Sequence, residues 1–302
     1  MKVTLQFIGM GVIWGASFLF MKIGLEGVSF GQVAWARLVF GAVTLGVILL
    51  VTRSRLPREP IVWLHFVVVA IMGCALPFLL FAWAEQYVSS SLASIYNAVT
   101  PITTAIMATA AFRVERLNRD QILGVMVGVL GVLVVVGPWQ LAALSGSLGG
   151  QLACLGAVTC YGVSFSYLRR FICHRDIPAT ATAFLSVGLA AAIMIALTPV
   201  IAWHPVRFSW PVVLSLLALG ALGSGVVYIW NMNVLRAWGP TATSGVTYVT
   251  PVVGVALGVL VLGERLSWNE PAGALVVLCG ILLTQQRVRL LTRRPVELAA
   301  RG

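Results

Sequence analysis

Long apolar runs, each interrupted by only a few polar residues, follow one another from Val3 almost to Leu291. Such runs suit helices that cross about 30 Å of hydrocarbon, which takes roughly 20 residues. Ten are read, at 3–23, 30–51, 61–84, 92–112, 122–137, 148–168, 179–203, 212–232, 242–262 and 272–286. The fifth and tenth are short, so they stand nearly upright or extend into their flanks. The connections are short too, which makes helices adjacent in sequence antiparallel. The pattern predicts an all-α integral membrane protein of ten transmembrane helices.

Composition agrees. Of 302 residues, 60% are hydrophobic and 10% charged, with a mean hydropathy of +0.98. A soluble domain carries about 25% charged residues to cover its surface. Here the apolar surface must face lipid, and no stretch is left for a sizeable soluble domain. The first run is long enough to span a bilayer and lacks a small-residue cleavage site, so it reads as a span and not as a leader. The five cysteines show no metal-ligand spacing, and four lie within apolar runs. They read as small packing residues.

The net charge of +11 does not point to nucleic acid, because the basic residues form short clusters between apolar runs and no continuous stripe. They are a topology signal instead. With the N-terminus inside, inner segments hold Lys2, Arg53, Arg55, Arg58, Arg113, Arg116, Arg119, Arg169, Arg170, Arg175, Arg236 and five arginines of the tail. That is 16 of the 20 basic residues. Lys22, Arg207 and Arg265 fall outside, and Arg37 lies within a span. The positive-inside rule then puts both termini in the cytoplasm of a cell whose inner (plasma) membrane the chain crosses many times.

The two halves repeat each other. Trp14-Gly15-Ala16-Ser17-Phe18 returns as Tyr161-Gly162-Val163-Ser164-Phe165 at an offset of 147. Thr100-Pro101 returns as Thr250-Pro251 at 150, and Glu115-Arg116-Leu117 as Glu264-Arg265-Leu266 at 149. Each unit holds an odd number of spans, so the second copy enters the membrane from the opposite face. That is an inverted-topology repeat, the architecture of secondary carriers with a site between their halves.

At these residues the chain resembles the EamA family of the drug/metabolite transporter superfamily. The motifs are the aromatic-Gly-x-Ser-Phe of the first helix, the mid-membrane proline and the following Glu-Arg-Leu. Arg37 and Lys22 also stand where that family tends to carry basic residues. The resemblance covers nearly the whole chain and implies an EamA-type five-helix unit at 1–140, a second, inverted unit at 141–290 and a basic cytoplasmic tail at 291–302. It also implies export of metabolites, often amino acids, and within the family the YddG-type amino-acid exporters look closest. One departure stands out: Phe112-Arg113-Val114-Glu115 replaces the Leu-Gly-Glu that the second copy keeps as Leu262-Gly263-Glu264.

Candidate binding residues gather around the repeated motifs. Pro101 and Pro251 fall near the middle of their spans as hinge or kink positions, and each deprives a carbonyl four residues earlier, at Asn97 and Thr247, of its usual donor. In hydrocarbon that carbonyl needs another partner. It either faces a cavity and accepts from a substrate, or is satisfied by a neighbouring Ser or Thr. Ser94, Asn97, Thr100 and Thr103 recur every three residues, as do Ser244, Thr247 and Thr250. Each set shares a helix face, which serves substrate binding or hydrogen bonding between helices. Trp14 and Ser17, Tyr161 and Ser164, Phe78 and Phe81, and Tyr228, Asn231 and Tyr248 add aromatic walls, hydroxyls and an amide. Such a lining suits a neutral or zwitterionic small molecule with an apolar part; the same aromatics also serve plain packing.

Arg37, seven residues into the second run, snorkels, pairs with Glu26 or Glu85, or draws a carboxylate. Glu85 ends the third run and is a candidate for gating or coupling. All nine acidic residues lie at run ends or in connections, so no ionisable acid marks a proton relay at depth. A ring of like charges for a channel is missing, as are a catalytic cluster in the bilayer and a phosphate-cradling Gly-rich loop with Lys-Ser/Thr. The reading is a carrier of neutral or aromatic amino acids, with a hydrophobic drug or other metabolite as the alternative cargo. It needs no metal or cofactor, its partners are the substrate and the bilayer, and a monomer suffices.

Single cysteines placed at 53–58 and in the tail should react with a membrane-impermeant maleimide only after the cell is opened. Labelling of either from outside would overturn the orientation.

Overall fold

The computed structural model of the chain describes residues 2–114, 117–137, 141–201, 204–231, 233–234, 237, 246–284 and 288. The described residues are helical, with no strand among them. Hydrocarbon offers backbone groups no water, so a spanning segment must pair them within itself, and the helix does this. The helices are α1 (Lys2–Gly24), α2 (Phe30–Thr52), α3 (Pro60–Ala70), α4 (Leu76–Ala84), α5 (Ser90–Asn97), α6 (Thr100–Ile106), α7 (Arg119–Val136) and α8 (Leu141–Phe171). They continue with α9 (Ala179–Ala196), α10 (Thr198–Ile201), α11 (Trp210–Leu217), α12 (Val246–Leu262) and α13 (Asn269–Thr284).

Among the described residues seven helices are long and apolar enough to cross a membrane. They include Pro60–Ala84, which joins α3 to α4, and Trp210–Asn231, which continues from α11. The run expected at 92–112 is instead broken, with a turn at Ala98 and Val99 separating α5 from α6. Pro101 opens α6 in its first turn, where its missing N–H costs no helical bond. Pro251 differs, lying inside α12. Glu115, Arg116, Arg236, Ser244 and the tail 291–302 lie outside the described residues.

Among the described residues three stretches are π-helical: Ile71–Ala75, Met107–Ala111 and Ala218–Val226. The glycines Gly220, Gly223 and Gly225 therefore mark a wider helical turn. Such segments leave the regular i→i+4 ladder and recur at functional sites.

The outer surface is apolar. Val43, Val47 and Leu50 on α2, Met126, Leu130 and Leu133 on α7, and Leu260 on α12 all point outward and are exposed. Inside, hydroxyls close on their own helices: Ser17 donates to the Ile13 carbonyl, Ser166 to Gly162, Ser186 to Thr182 and Thr284 to Gly280. These bonds let polar side chains lie between helices without an orphaned group.

Small residues set a close crossing between α7 and α13. A Cβ on Gly280 would sit 2.5 Å from the Gly128 backbone nitrogen and 2.7 Å from the Gly124 carbonyl oxygen. Backbone meets backbone there, as in small-xxx-small membrane crossings. Asn269 adds a side-chain bond across the same pair, to the Val135 carbonyl at 2.8 Å.

Gly280→Val should lower the melting temperature of the detergent-purified protein, since overpacking of this kind costs about 1–3 kcal/mol. Leu275→Val, on the exposed face of α13, should change it little. Equal effects of the two would remove the backbone contact as the cause.

Candidate functional site

Two other elements hold the Arg37 side chain. The side chain leaves α2 about 10 Å along the helix from its start at Phe30. Its guanidinium carbon stands 3.8 Å over the centre of the Phe78 ring on α4. Arg37 Nε donates to Ser224 Oγ at 3.0 Å. Arg37 is 7% exposed and Ser224 fully buried, so the side chain turns into the protein and does not snorkel. Neither Glu26 nor Glu85 forms an ion pair with it: its partners are a hydroxyl and a ring face.

Ser224 belongs to the π-helical stretch Ala218–Val226, and so does Gly223. The Gly223 carbonyl accepts from Trp14 Nε1 at 3.1 Å. A Cβ on Gly223 would come within 3.1 Å of Ser17 Oγ and 4.0 Å of Arg37 Nη2, so only a bare backbone leaves this space open. Trp14 also meets Tyr228 edge-on, with ring centres 6.3 Å apart. The Tyr228 hydroxyl in turn contacts Cys74 Sγ at 3.6 Å, in the π-helical stretch Ile71–Ala75. Phe81, one turn along α4 from Phe78, packs on Phe18 and on Tyr161 of α8, with ring centres 5.5 and 6.2 Å away.

Trp14, Ser17, Arg37, Phe78, Phe81, Tyr161 and Tyr228 thus form one assembly. Ser164 lies a turn beyond Tyr161, and a Cβ on Gly73 would fall 2.5 Å from its Oγ. Asn97 and Thr100 stand apart. The Asn97 carbonyl accepts from Thr100 Oγ1 at 2.7 Å, and no hydrogen bond or ring contact joins either residue to the Arg37 assembly among the described residues. Asn231 is half-buried at the end of its helix. The side chains of Thr247 and Tyr248 lie outside the described residues. Sequence reasoning missed Cys74, which carried no signal beyond its apolar surroundings, and Ser224, whose visible signal was the Gly-Ser-Gly run 223–225.

A second ionisable group is also buried. Glu85 caps α4 and is fully buried, and neither carboxylate oxygen has a hydrogen-bond partner. Lys22 does not bond the carboxylate. Its ammonium donates to the backbone carbonyls of Glu85 and, at 3.0 Å, of Val88. Lys22 therefore closes the C-terminal end of that helix, where cations are favoured.

Glu264 serves the opposite kind of helix end. Helix α12 stops at Leu262, and Gly263 takes the left-handed conformation at φ +65°. The Glu264 amide then folds back to the Gly258 carbonyl at 3.1 Å, a glycine C-cap. That turn presents the carboxylate to the start of α5, where it accepts from Ser90 N at 2.7 Å, Ser91 N at 2.9 Å and Ser91 Oγ. The Leu-Gly-Glu motif is thus a lock across the chain. In the first half Arg113 occupies the left-handed position, at φ 52°, and the Val114 amide returns to Ala108. Burial works to raise the Glu264 pKa, but the hydrogen bonds from Ser91 and Ser90 outweigh it and hold the carboxyl below its ordinary value.

The EamA-like transporter family matches this sequence twice, at residues 1–137 and 148–285. The uncharacterized transporter YoaV of Bacillus subtilis is 27% identical over 288 residues, covering 93% of this chain and 96% of its own. A protein of Escherichia coli named a probable amino-acid metabolite efflux pump is 26% identical, covering 90% and 91% respectively. A solved crystal structure shares the fold over 95% of this chain and 99% of its own, with a TM-score of 0.64 at 18% identity.

A depressed carboxyl stabilises the fold above its unfolded pKa and loses that contribution as pH falls through the lower, folded value. Glu264→Gln should therefore melt a few degrees below wild type at neutral pH. The gap should close as pH drops below the ordinary glutamate value of about 4.3. A gap independent of pH would show that shape and not charge matters at this lock.

Proposed function

This chain belongs to the EamA-like transporter family, a multi-pass membrane transporter, and on that premise we propose that it carries neutral or aromatic amino acids across the inner plasma membrane. The observation that carries the reading is the aromatic assembly of Trp14, Phe78, Phe81, Tyr161 and Tyr228. It surrounds buried hydroxyls and is drawn from both halves of the chain. Rings give an apolar substrate body its walls, and a few polar groups orient it. The name of the Escherichia coli relative, a probable amino-acid metabolite efflux pump, favours the same class of cargo.

The proposed mechanism is alternating access between two inverted five-helix units, ten helices in all, with both termini cytoplasmic. Two observations support it. The family matches the chain twice, in consecutive segments. Helix packing also exchanges between the halves. Helix α1 packs on α12 as α8 packs on α6, α2 packs on the π-helical stretch after α11 as α9 packs on α3, and α7 packs on α13. A two-fold relation between the units gives this pattern of pairs, and rocking one unit against the other exposes a site between them to each side in turn.

Wild-type protein in liposomes preloaded with unlabelled phenylalanine should accumulate labelled phenylalanine by counterflow. Trp14→Ala and Tyr161→Ala should each cut that flux about tenfold, the usual weight of a well-packed aromatic contact, while eluting as folded protein. Wild-type flux in both variants would remove the aromatic assembly as the binding site. Counterflow of organic cations or hydrophobic drugs with none of amino acids would move the cargo to the alternative class.

A further inference from the structure

Arg37 is a permanent charge, since a guanidinium does not deprotonate in proteins. Taking such a group from water without a counter-charge is costly. Yet among the described residues no carboxylate lies within ion-pair distance of it. Its bonding leaves a specific edge free: Phe78 covers one face and Ser224 takes Nε. Neither Nη nitrogen has a hydrogen-bond acceptor among the described residues. The ionisable groups that face it are Tyr161, Tyr228, Cys74 and Glu85. The phenols and the thiol carry no charge to balance it, and Glu85 acts only at a distance.

The free edge lies on the side where Gly223 lacks a side chain, its Cβ position 4.0 Å from Nη2 and 3.1 Å from Ser17 Oγ, with Trp14 bonded to the Gly223 carbonyl. We propose that this edge is the subsite for a substrate monocarboxylate, held by the two Nη groups in the fork geometry that guanidinium and carboxylate share. This deepens the amino-acid reading and rests on it for the substrate's transport, though not for its binding.

The chemistry selects a single negative charge. A phosphate dianion calls for a second cation, and the nearby ammonium of Lys22 is committed to the carbonyls of Glu85 and Val88. The ring of Phe78 lies under the guanidinium and the Trp14–Tyr228 pair adjoins Gly223, so the acid carries an apolar body. Ser224 fixes the roll of the guanidinium about its own axis, which makes it a positioning residue for the carboxylate.

Three ligands separate the groups on phenylalanine: 3-phenylpropanoate keeps the carboxylate alone, phenylalaninamide neutralises it, and phenethylamine removes it. In competition with labelled phenylalanine in counterflow, 3-phenylpropanoate should compete at least about tenfold better than the amide or the amine, the scale of a charge-assisted bidentate contact. Arg37→Gln should bring the three ligands to within about threefold of one another. Arg37→Lys should keep the order with a smaller ratio, and Ser224→Ala should reduce the ratio without abolishing it. An amide that competes as well as the acid on wild type overturns the proposal, as does a wild-type ratio retained in Arg37→Gln.

A binding arm covers both a variant that fails to fold and a wild type that moves no amino acid. If 3-phenylpropanoate raises the melting temperature of detergent-purified wild type but not of Arg37→Lys or Ser224→Ala to the same extent, the subsite stands even when the transport reading fails. No shift of wild type, or equal shifts in all three proteins, overturns the subsite whatever the cargo.

Discussion

No backbone polar group can stay unpaired in hydrocarbon, and the architecture follows from that constraint. It makes the described residues helical and covers them with outward valines and leucines. It also makes every departure from regular helix conspicuous, because something else must answer the groups set free. At the turn between α5 and α6, Thr100 Oγ1 closes the Asn97 carbonyl. In the wide turn after α11, the indole of Trp14 closes the Gly223 carbonyl. At the start of α5, the Glu264 carboxylate receives two backbone amides. Polar side chains are thereby concentrated where the helices are irregular, and the site lies among them.

The same constraint explains why charge is so unevenly treated. Lys22 and Glu264 each meet a helix end of opposite partial charge, so their burial is compensated by backbone dipoles. Arg37 and Glu85 have no such partner. Direct pairing would have cancelled both, yet Arg37 is turned onto Phe78 and Ser224. A guanidinium buried without a counter-charge is costly, and an anionic ligand is the natural answer to it.

Much of the helical layout was legible in the chain. The run read at 30–51 is helix Phe30–Thr52, and the run at 61–84 is Pro60–Ala84, because hydropathy over a span is a local property. The break near Pro101 also had a local cause. What stayed hidden was non-local. Ser224 is 187 positions from Arg37, and Ser91 is 173 from Glu264, and no periodicity announces either meeting. The Leu-Gly-Glu motif could be seen, but not that its glycine turns a carboxylate onto another helix. Glu85 misled for a related reason. Its place at the end of an apolar run could be read locally, but its complete burial there depends on other helices that no local pattern names.

The hydrogen bonds of Trp14 and Arg37 bear on how binding connects to motion. Each starts in the first half of the chain and ends on the π-helical stretch Ala218–Val226 in the second. Under alternating access, rocking of one unit against the other must strain or exchange both bonds, because they bridge the moving parts. A ligand shifts such an equilibrium only as far as it interacts differently with the two states. A carboxylate on the Nη edge meets that requirement directly. It bonds the guanidinium whose orientation Ser224 sets, so its affinity changes whenever the bridge between the halves changes. On the proposed reading, the free edge of Arg37 is both the binding feature and the place where occupancy is converted into a preference between conformations.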